Sequence, residues 1–367
     1  MRVLFVRGKL DGVGHYRCSI PYLALKDAGH SCDILDNKAR LRACAAWFAD
    51  YDFVILQKIN DPGWYDLISV IPGDRRPFTV WECDDLVTGL TPDNPSYKDY
   101  HPHEEGFRQC AQLADGIIVS TCRLAEHFDK LNANCAVVPN YLDIPGFREW
   151  AIPETRTDRR LYIGWLGGVH HFGDWKPIGN VIRWACYASK DVAFAYCGNK
   201  QLGRHWKQKM GVPDGQWVEL PTGEFDGYQT RISQFDIGVA PLERTEFNSC
   251  KSDLRLLEYG AWGVPYVASN VAPYSSFHLA TGGMGGYIAR NEDEWNLALK
   301  RLIDSRPERI ERGNDLREYV RTARGKEACA VRWSDALEGL RNARELCRSP
   351  LALPRGVCAG ETENVRP

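Results

Sequence analysis

A chain of 367 residues, 44% hydrophobic and 26% charged, has globular composition, and at about 150 residues per domain it holds two domains. Its 46 basic and 48 acidic residues leave a net charge of -2, which excludes the global basic field of a non-specific DNA binder and confines any nucleic-acid contact to a local patch. No uninterrupted apolar run approaches roughly eighteen residues, so no membrane span is expected, and thirteen cysteines, an odd number without a Cys-x-x-Cys pair, predict free thiols in a reducing, cytoplasmic compartment and no structural zinc.

The opening MRVLFVRGKLDGVG reads as an apolar strand, Val3 to Val6, running into glycines, and lacks the layout of a signal peptide. After a loop from Arg7 to Tyr16, the residues Ile20, Leu23, Leu25 and Ala28 suit a helix ending at Gly29. The rhythm repeats with strands at Cys32 to Leu35, Phe53 to Leu56, Phe78 to Trp81, Gly116 to Val119 and Cys135 to Val138, and with helices around Leu41 to Phe48, Trp64 to Val70 and Thr121 to Leu131. Such alternation predicts a parallel sheet covered by helices on both faces. Residues 144–160, with Pro145, Pro153 and a charged stretch, read as a connector between domains.

The alternation then restarts. Strands are expected at Leu161 to Leu166, Ala193 to Tyr196, Trp217 to Leu220, Ile237 to Ala240 and Tyr266 to Ala268, and helices near Val181 to Ala188, Tyr228 to Gln234 and Ser252 to Trp262. From Glu292 the strands cease and mixed-charge helices run to about Leu346. The domains are thus 1–150, 151–346 with its terminal helices, and a tail, 347–367, expected to be disordered. Two doubly wound domains place the carboxyl ends of their sheets across a cleft, the usual ligand position in such folds.

The most informative segment is FNSCKSDLRLLEYGAWGVPYVAS, Phe247 to Ser269. Leu254, Leu257 and Ala261 make a buried stripe, Gly263 ends the helix and Pro265 follows it. Lys251 is expected at the helix start, where the macrodipole disfavours a cation unless an anion binds the free N–H groups beside it. Seven residues on, at roughly 700° of rotation, Glu258 is expected on the same face about 10 Å further along. Cation and carboxylate together suit a nucleoside diphosphate, one for the pyrophosphate and one for the ribose hydroxyls. An amphipathic helix with solvated charges is the alternative.

Four other segments carry possible chemistry. Gly12 and Gly14, in DGVGHYR beside His15, would let a backbone approach a ligand, although a dinucleotide fingerprint needs a third glycine where Arg17 stands. Asp36 nevertheless leaves open an NAD-enzyme reading. Gly167, Gly168, His170 and His171 follow the strand that opens the second domain, without metal-ligand spacing, and Asp174 lies just beyond. Asp84 and Asp85, after the strand at Trp81, are paired carboxylates that can hold an acceptor hydroxyl or take its proton. KQLGRHWKQK, Lys200 to Lys209, is basic and aromatic enough to track nucleic acid, with a solvated helix face as the plainer reading.

These segments resemble the nucleotide-sugar glycosyltransferases of GT-B fold, specifically the retaining family-four type, in a variant similar to a bacterial and phage subgroup. The resemblance covers about residues 1 to 345, through GVGHYR, ADGIIVST, VPNYLD, IGWLGGVHHFGDW, FDIGVAPL and LEYGAWGVPYVAS. The second Glu of the family's Glu-x7-Glu motif matches Glu258, but the first falls on Cys250, a position that usually contacts the donor sugar. The resemblance implies an α/β fold of two Rossmann-like domains facing a central cleft, the first binding the acceptor and the second the donor. It implies transfer, with retention and without metal or bound cofactor, of a sugar from a nucleoside-diphosphate sugar to an acceptor hydroxyl on a glycan or small molecule.

Within that reading Lys251, His15, Asp84 and Asp85 are the expected catalytic group. Gly12, Gly14, Gly167, Gly168, His170, Asn248, Lys251, Ser252 and Glu258 are expected around the donor. Two alternatives stay open: a phage-type enzyme, working in the host cytoplasm, that glycosylates hydroxymethylated pyrimidines in DNA, and a non-catalytic nucleotide-sugar-binding protein, suggested by Cys250.

Overall fold

A computed structural model describes residues 1–37, 44–94, 96–143, 160–168, 173–176, 178–222 and 229–348. The first sheet is built from β1 (Arg2–Arg7), β2 (Ser31–Asp36), β3 (Phe53–Gln57), β4 (Phe78–Cys83), β5 (Gly116–Val119) and β6 (Cys135–Val137), in the order β2-β1-β3-β4-β5-β6. The second comprises β7 (Leu161–Gly167), β8 (Val192–Gly198), β9 (Trp217–Glu219), β10 (Ile237–Ala240), β11 (Tyr266–Ser269) and β12 (Gly286–Ala289), ordered β12-β11-β10-β7-β8-β9. All pairings are parallel. Strand order therefore reverses between β1 and β3 in one sheet and between β7 and β10 in the other, and ligand crevices open at those switch points.

The strands form because they are buried on both faces: β3, FVILQ, and β8, VAFAYCG, are buried throughout. The helices that matter below are α1 (Ile20–Asp27), α2 (Gly63–Ser69), α3 (Glu104–Leu113), α4 (Cys122–Phe128), α5 (Gly179–Ala188), α6 (Lys200–Met210), α7 (Glu246–Cys250), α8 (Leu254–Ala261), α9 (Ala272–Ala280), α10 (Glu292–Asp304), α11 (Arg306–Ala323) and α12 (Lys326–Arg348). Thr121, Asn199, Thr245, Asn291 and Ser305 cap α4, α6, α7, α10 and α11 with side-chain oxygens.

The last helix returns to the first domain. Ser334 Oγ lies 3.2 Å from His30 Nε2, Asn134 Nδ2 donates to Leu340 O at 2.9 Å, and Arg332 donates to Val137 O at 2.8 Å. Trp333 packs edge-on against Phe5 of β1, with ring centroids 5.7 Å apart. One apolar core consequently runs from Val3 and Phe5 through Trp333 to Leu256 and Leu316 without a break between domains.

Several sequence expectations need correction. The helix expected from Ser252 to Trp262 is α8, but Lys251, expected at its start, instead caps the carboxyl end of a separate short helix, α7, in an extended conformation with ψ 164°. The far end of α8 is as expected: Gly263, at φ +63°, takes the left-handed position, and Val264 N donates to Tyr259 O at 2.9 Å in a Schellman closure. The segment near Tyr228 to Gln234 contains a 3₁₀ turn, Gln229–Gln234, and that around Leu41 to Phe48 contains a 3₁₀ turn, Ala45–Trp47, with residues 41–43 outside the described set. The strand β12 and the helices α3 and α9 were not anticipated. β12 is only four residues long, entered from a glycine-rich turn, and its middle pair is half-buried, so its apolar run is short and lies next to a turn signal. The connector residues 144–159 and the tail from residue 349 lie outside the described residues.

Candidate functional site

The site is assembled from the carboxyl ends of the two sheets. After β1 the chain is pinned to β3, since Gln57 Oε1 accepts from Gly8 N at 3.0 Å and from Lys9 N at 3.2 Å. Asp11 then accepts from Val13 N at 3.0 Å and starts a single turn, Gly12–Gly14, that widens into a π-helical turn, His15–Ser19. Gly14 is crowded from within its own loop: a Cβ there would lie 1.9 Å from Lys9 O. The close approach that glycine permits at this position is therefore to Lys9. Gly12 and His15 are half-buried, and the His15 ring meets Tyr16 edge-on at 5.2 Å.

Arg17, the residue that spoils a dinucleotide fingerprint, is buried. Its Nε donates to Glu82 Oε1 at 2.6 Å, and its Nη1 to Val138 O and Asn140 Oδ1, both at 2.9 Å. Burial pushes the Glu82 carboxyl up to about 7 despite the Arg17 charge. Asp36 is engaged at Oδ1 by Arg7, whose Nη2 lies at 2.7 Å.

The paired carboxylates sit directly after β4, where expected, but with an unforeseen partner. Lys58 follows β3 and is the one non-glycine with positive φ, +50°, among the described residues, a conformation that costs on the order of 1 kcal/mol. Its side chain is 0% exposed, and Nζ lies 3.2 Å from Asp84 Oδ1 and 2.7 Å from Asp85 Oδ2. Tyr100 donates to Asp85 Oδ2 at 3.2 Å, and its ring lies 4.8 Å from the ammonium. Burial raises the Asp84 carboxyl, with Lys58 opposing it only in part. At Asp85 burial acts the same way, but the charges of Lys58 and Lys251 and the hydrogen bonds from Lys58 and Tyr100 outweigh it and hold the carboxyl below the usual range. Two adjacent aspartates are thus split in proton affinity.

On the second domain, Gly167 is buried, and a Cβ there would meet the Trp165 ring at 2.4 Å. Gly168 is exposed, and a Cβ at that position would have nothing within 4 Å. His170 and His171 lie outside the described residues. Asp174 Oδ1 accepts from Glu243 N at 2.8 Å and from Asn248 Nδ2 at 2.7 Å, and Asn248 Nδ2 also donates to Glu243 O at 3.0 Å. Asn248 thereby ties α7 to the β7 loop.

The break between α7 and α8 docks on the first domain. Thr121 Oγ1 donates to Cys250 O at 3.0 Å, and Asn140 Nδ2 donates to Ser252 Oγ at 2.8 Å. Arg324 donates to both Asp253 oxygens at 2.7 and 2.8 Å and to Asn140 O at 3.1 Å. These contacts hold the turn between the two helices, and Lys251, over the Phe247 ring at 4.6 Å, stands in that turn with its charge acting on Asp85. Lys251 and Glu258 do not share one helix, so the same-face argument for them fails. Cys250 is 0% exposed within the apolar cluster of the first domain, beside Phe247. Glu258 is buried on α8, where Oε1 accepts from Tyr16 at 2.6 Å and Oε2 from Arg255 at 2.5 Å. Beside Lys251 a cavity of about 240 Å³ opens between the domains, walled by Thr121, Pro273, Phe277 and Arg324.

The structure therefore gathers His15, Asp84, Asp85, Lys251, Ser252 and Glu258 along the junction of the domains. It adds Tyr16, Lys58, Tyr100 and Arg255, which the sequence reading missed. The Lys200 to Lys209 segment is α6, whose Trp206 is buried, so its one indole is unavailable for stacking on bases. Among the described residues no helix is long and apolar enough to cross a membrane, and the described cysteines are free thiols.

No protein-family model and no curated protein sequence matches the chain. Solved structures do. Anabaena HepE in complex with UDP aligns with a TM-score of 0.63 at 13% identity, over 92% of this chain and 100% of that one. A glycosyltransferase from Rickettsia africae aligns with a TM-score of 0.63 at 11% identity, over 93% and 98%. S. aureus TarM, in complex with Fondaparinux, alpha-GlcNAc-glycerol and UDP, gives 0.55 at 15% identity over 78% of this chain, which spans 55% of TarM. At such identities the likeness is one of fold, and the fold is the two-domain α/β architecture of GT-B glycosyltransferases.

Proposed function

We propose that the protein transfers a glycosyl group from a nucleoside-diphosphate sugar to an acceptor hydroxyl, with retention and without a metal. The observation that carries this reading is the docking of the Cys250–Ser252 turn of the second domain on Thr121 and Asn140 of the first, which brings the Lys251 charge to bear on Asp85 in a fold shared with structures holding UDP. In the reaction the bond from the sugar C1 to the diphosphate oxygen breaks, and a bond from C1 to the acceptor oxygen forms on the same face. Negative charge builds on the departing diphosphate, where Lys251 and the backbone of the Gly167 and Gly168 loop stabilise it. The acceptor hydroxyl lies against the first domain near His15. Asp85 stays ionised and orients it, while Asp84, whose proton affinity is raised, takes its proton. Glu258 accepts from the ribose hydroxyls, and Ser252 and Asn248 keep its helix and Lys251 in place.

The test is a panel of nucleotide sugars with release of free nucleoside diphosphate as readout, alongside thermal shift with UDP, GDP and ADP. Stabilisation by one nucleoside diphosphate, and release of the same one from its sugar, supports the reading. Absence of both across the panel refutes it.

A further inference from the structure

One contact in the cleft has no part in the proposed reaction. Tyr16 crosses from the first domain to donate its hydroxyl hydrogen to Glu258 Oε1 at 2.6 Å, over a separation of 242 positions. Both partners are buried, at 6% and 4% exposure. The other oxygen is held by Arg255, which lies on the same helix three residues back and moves with Glu258. Tyr16 comes from the opposite domain, and from a π-helical turn, a local departure from the α ladder that recurs at functional segments.

A phenol O–H and a ribose O–H are donors of the same type, so both suit one carboxylate oxygen. Tyr16 is the second residue after the Gly12–Gly14 turn and lies beyond the carboxyl end of β1, where the crevice of the first sheet opens. We propose that Tyr16 is a built-in competitor of the donor ribose: in the unliganded protein its hydroxyl occupies the Glu258 oxygen that a ribose hydroxyl takes in the complex. The inference rests on the reading of Glu258 as the ribose acceptor given above. A ligand with a ribose diol replaces one O–H···O⁻ hydrogen bond by another and displaces the phenol. A bare pyrophosphate has nothing to offer Glu258 and leaves Tyr16 where it is.

The experiment is calorimetric titration of wild type, Tyr16→Phe and Glu258→Gln with UDP, GDP, ADP and inorganic pyrophosphate, after thermal melting confirms that each variant is folded. Removing the competitor should tighten binding of the preferred nucleotide to Tyr16→Phe by roughly tenfold, because the fraction of free Glu258 rises. Pyrophosphate affinity should stay unchanged in that variant. The isosteric Glu258→Gln should lose nucleotide affinity and keep pyrophosphate affinity. Equal or weaker binding of the nucleotide by Tyr16→Phe overturns the proposal alone. So does an equal gain for pyrophosphate, because Tyr16 would then act by holding the domains together. Failure of all three nucleotides to bind wild type and Tyr16→Phe alike overturns the donor reading, and the proposal with it.

Discussion

Replacing Lys58 by Met keeps the length of the buried stem and removes its charge, which isolates what that charge does. The ammonium is fully buried between Asp84 and Asp85, whose side chains keep 15% and 19% exposure. Removing one partner of a buried ion pair costs about 3–5 kcal/mol, and the partial exposure of the carboxylates places this site at the lower end, about 3 kcal/mol at pH 7. For domains of this size that corresponds to a fall in Tm of roughly 6–12 °C.

The pH dependence follows from the two carboxyls. In wild type Asp85 is held below its usual range, so its contribution is present above the unfolded pKa of about 4 and lost as pH falls through the lower folded value. Without Lys58 burial prevails and raises both carboxyls. Their contribution then reverses, being present below about pH 4 and lost as pH rises. The gap in Tm between the two proteins should therefore be widest at pH 7 and shrink by at least half near pH 4. Thermal melting at the two pH values measures it. An equal gap at both would show that Lys58 acts only through the packing of its stem, and would refute the assignment of split proton affinities to the aspartate pair.

Other substitutions probe the junction. Lys251→Ala should weaken donor binding and transfer, and Glu258→Ala should weaken nucleotide recognition; unchanged donor affinity in both, by titration, would remove them from the donor site. Cys250→Glu supplies the first glutamate of the Glu-x7-Glu motif that the sequence resembles, but it puts a carboxylate into an apolar cluster at a fully buried position. It should lower Tm by several degrees without improving donor affinity, and tighter donor binding at unchanged Tm would show that position 250 faces the donor. Arg324→Ala breaks the bidentate pair with Asp253 and leaves that carboxylate uncompensated at the start of α8, at a cost of about 3 kcal/mol. Hydrogen exchange should rise at Asn140, Ser252 and the start of α8, and protection equal to wild type would count against Arg324 as the tie between domains.

The sheet was legible because parallel strands covered on both faces appear as bare apolar runs: FVIL at β3 and VLFV within β1. The end of α8 was legible because Gly263 and Pro265 act locally. The break before α8 was not. Lys251 reads as the start of α8, and the partners that hold the turn between α7 and α8, Asn140 and Arg324, are far away in sequence. Lys58 was hidden for a similar reason. A lysine after an apolar strand reads as the first solvated residue, and only the register that sets Gln57 beside Glu82 brings it to Asp84 and Asp85. Nor does any residue pattern announce a lysine at positive φ. For the candidate site, the acidic half could be found from sequence and the cation that organises it could not.

The helix α12 has a consequence for how the chain is made. It supplies Trp333 to the core beneath β1, yet it is the last described element, beginning at Lys326 when β6 of the same domain ended at Val137. At a synthesis rate of about 5–20 residues per second, the first sheet waits on the order of ten to forty seconds on the ribosome with that face uncovered. The amino-terminal domain is translated first but finished last, and during that interval its apolar surface is open to chaperones.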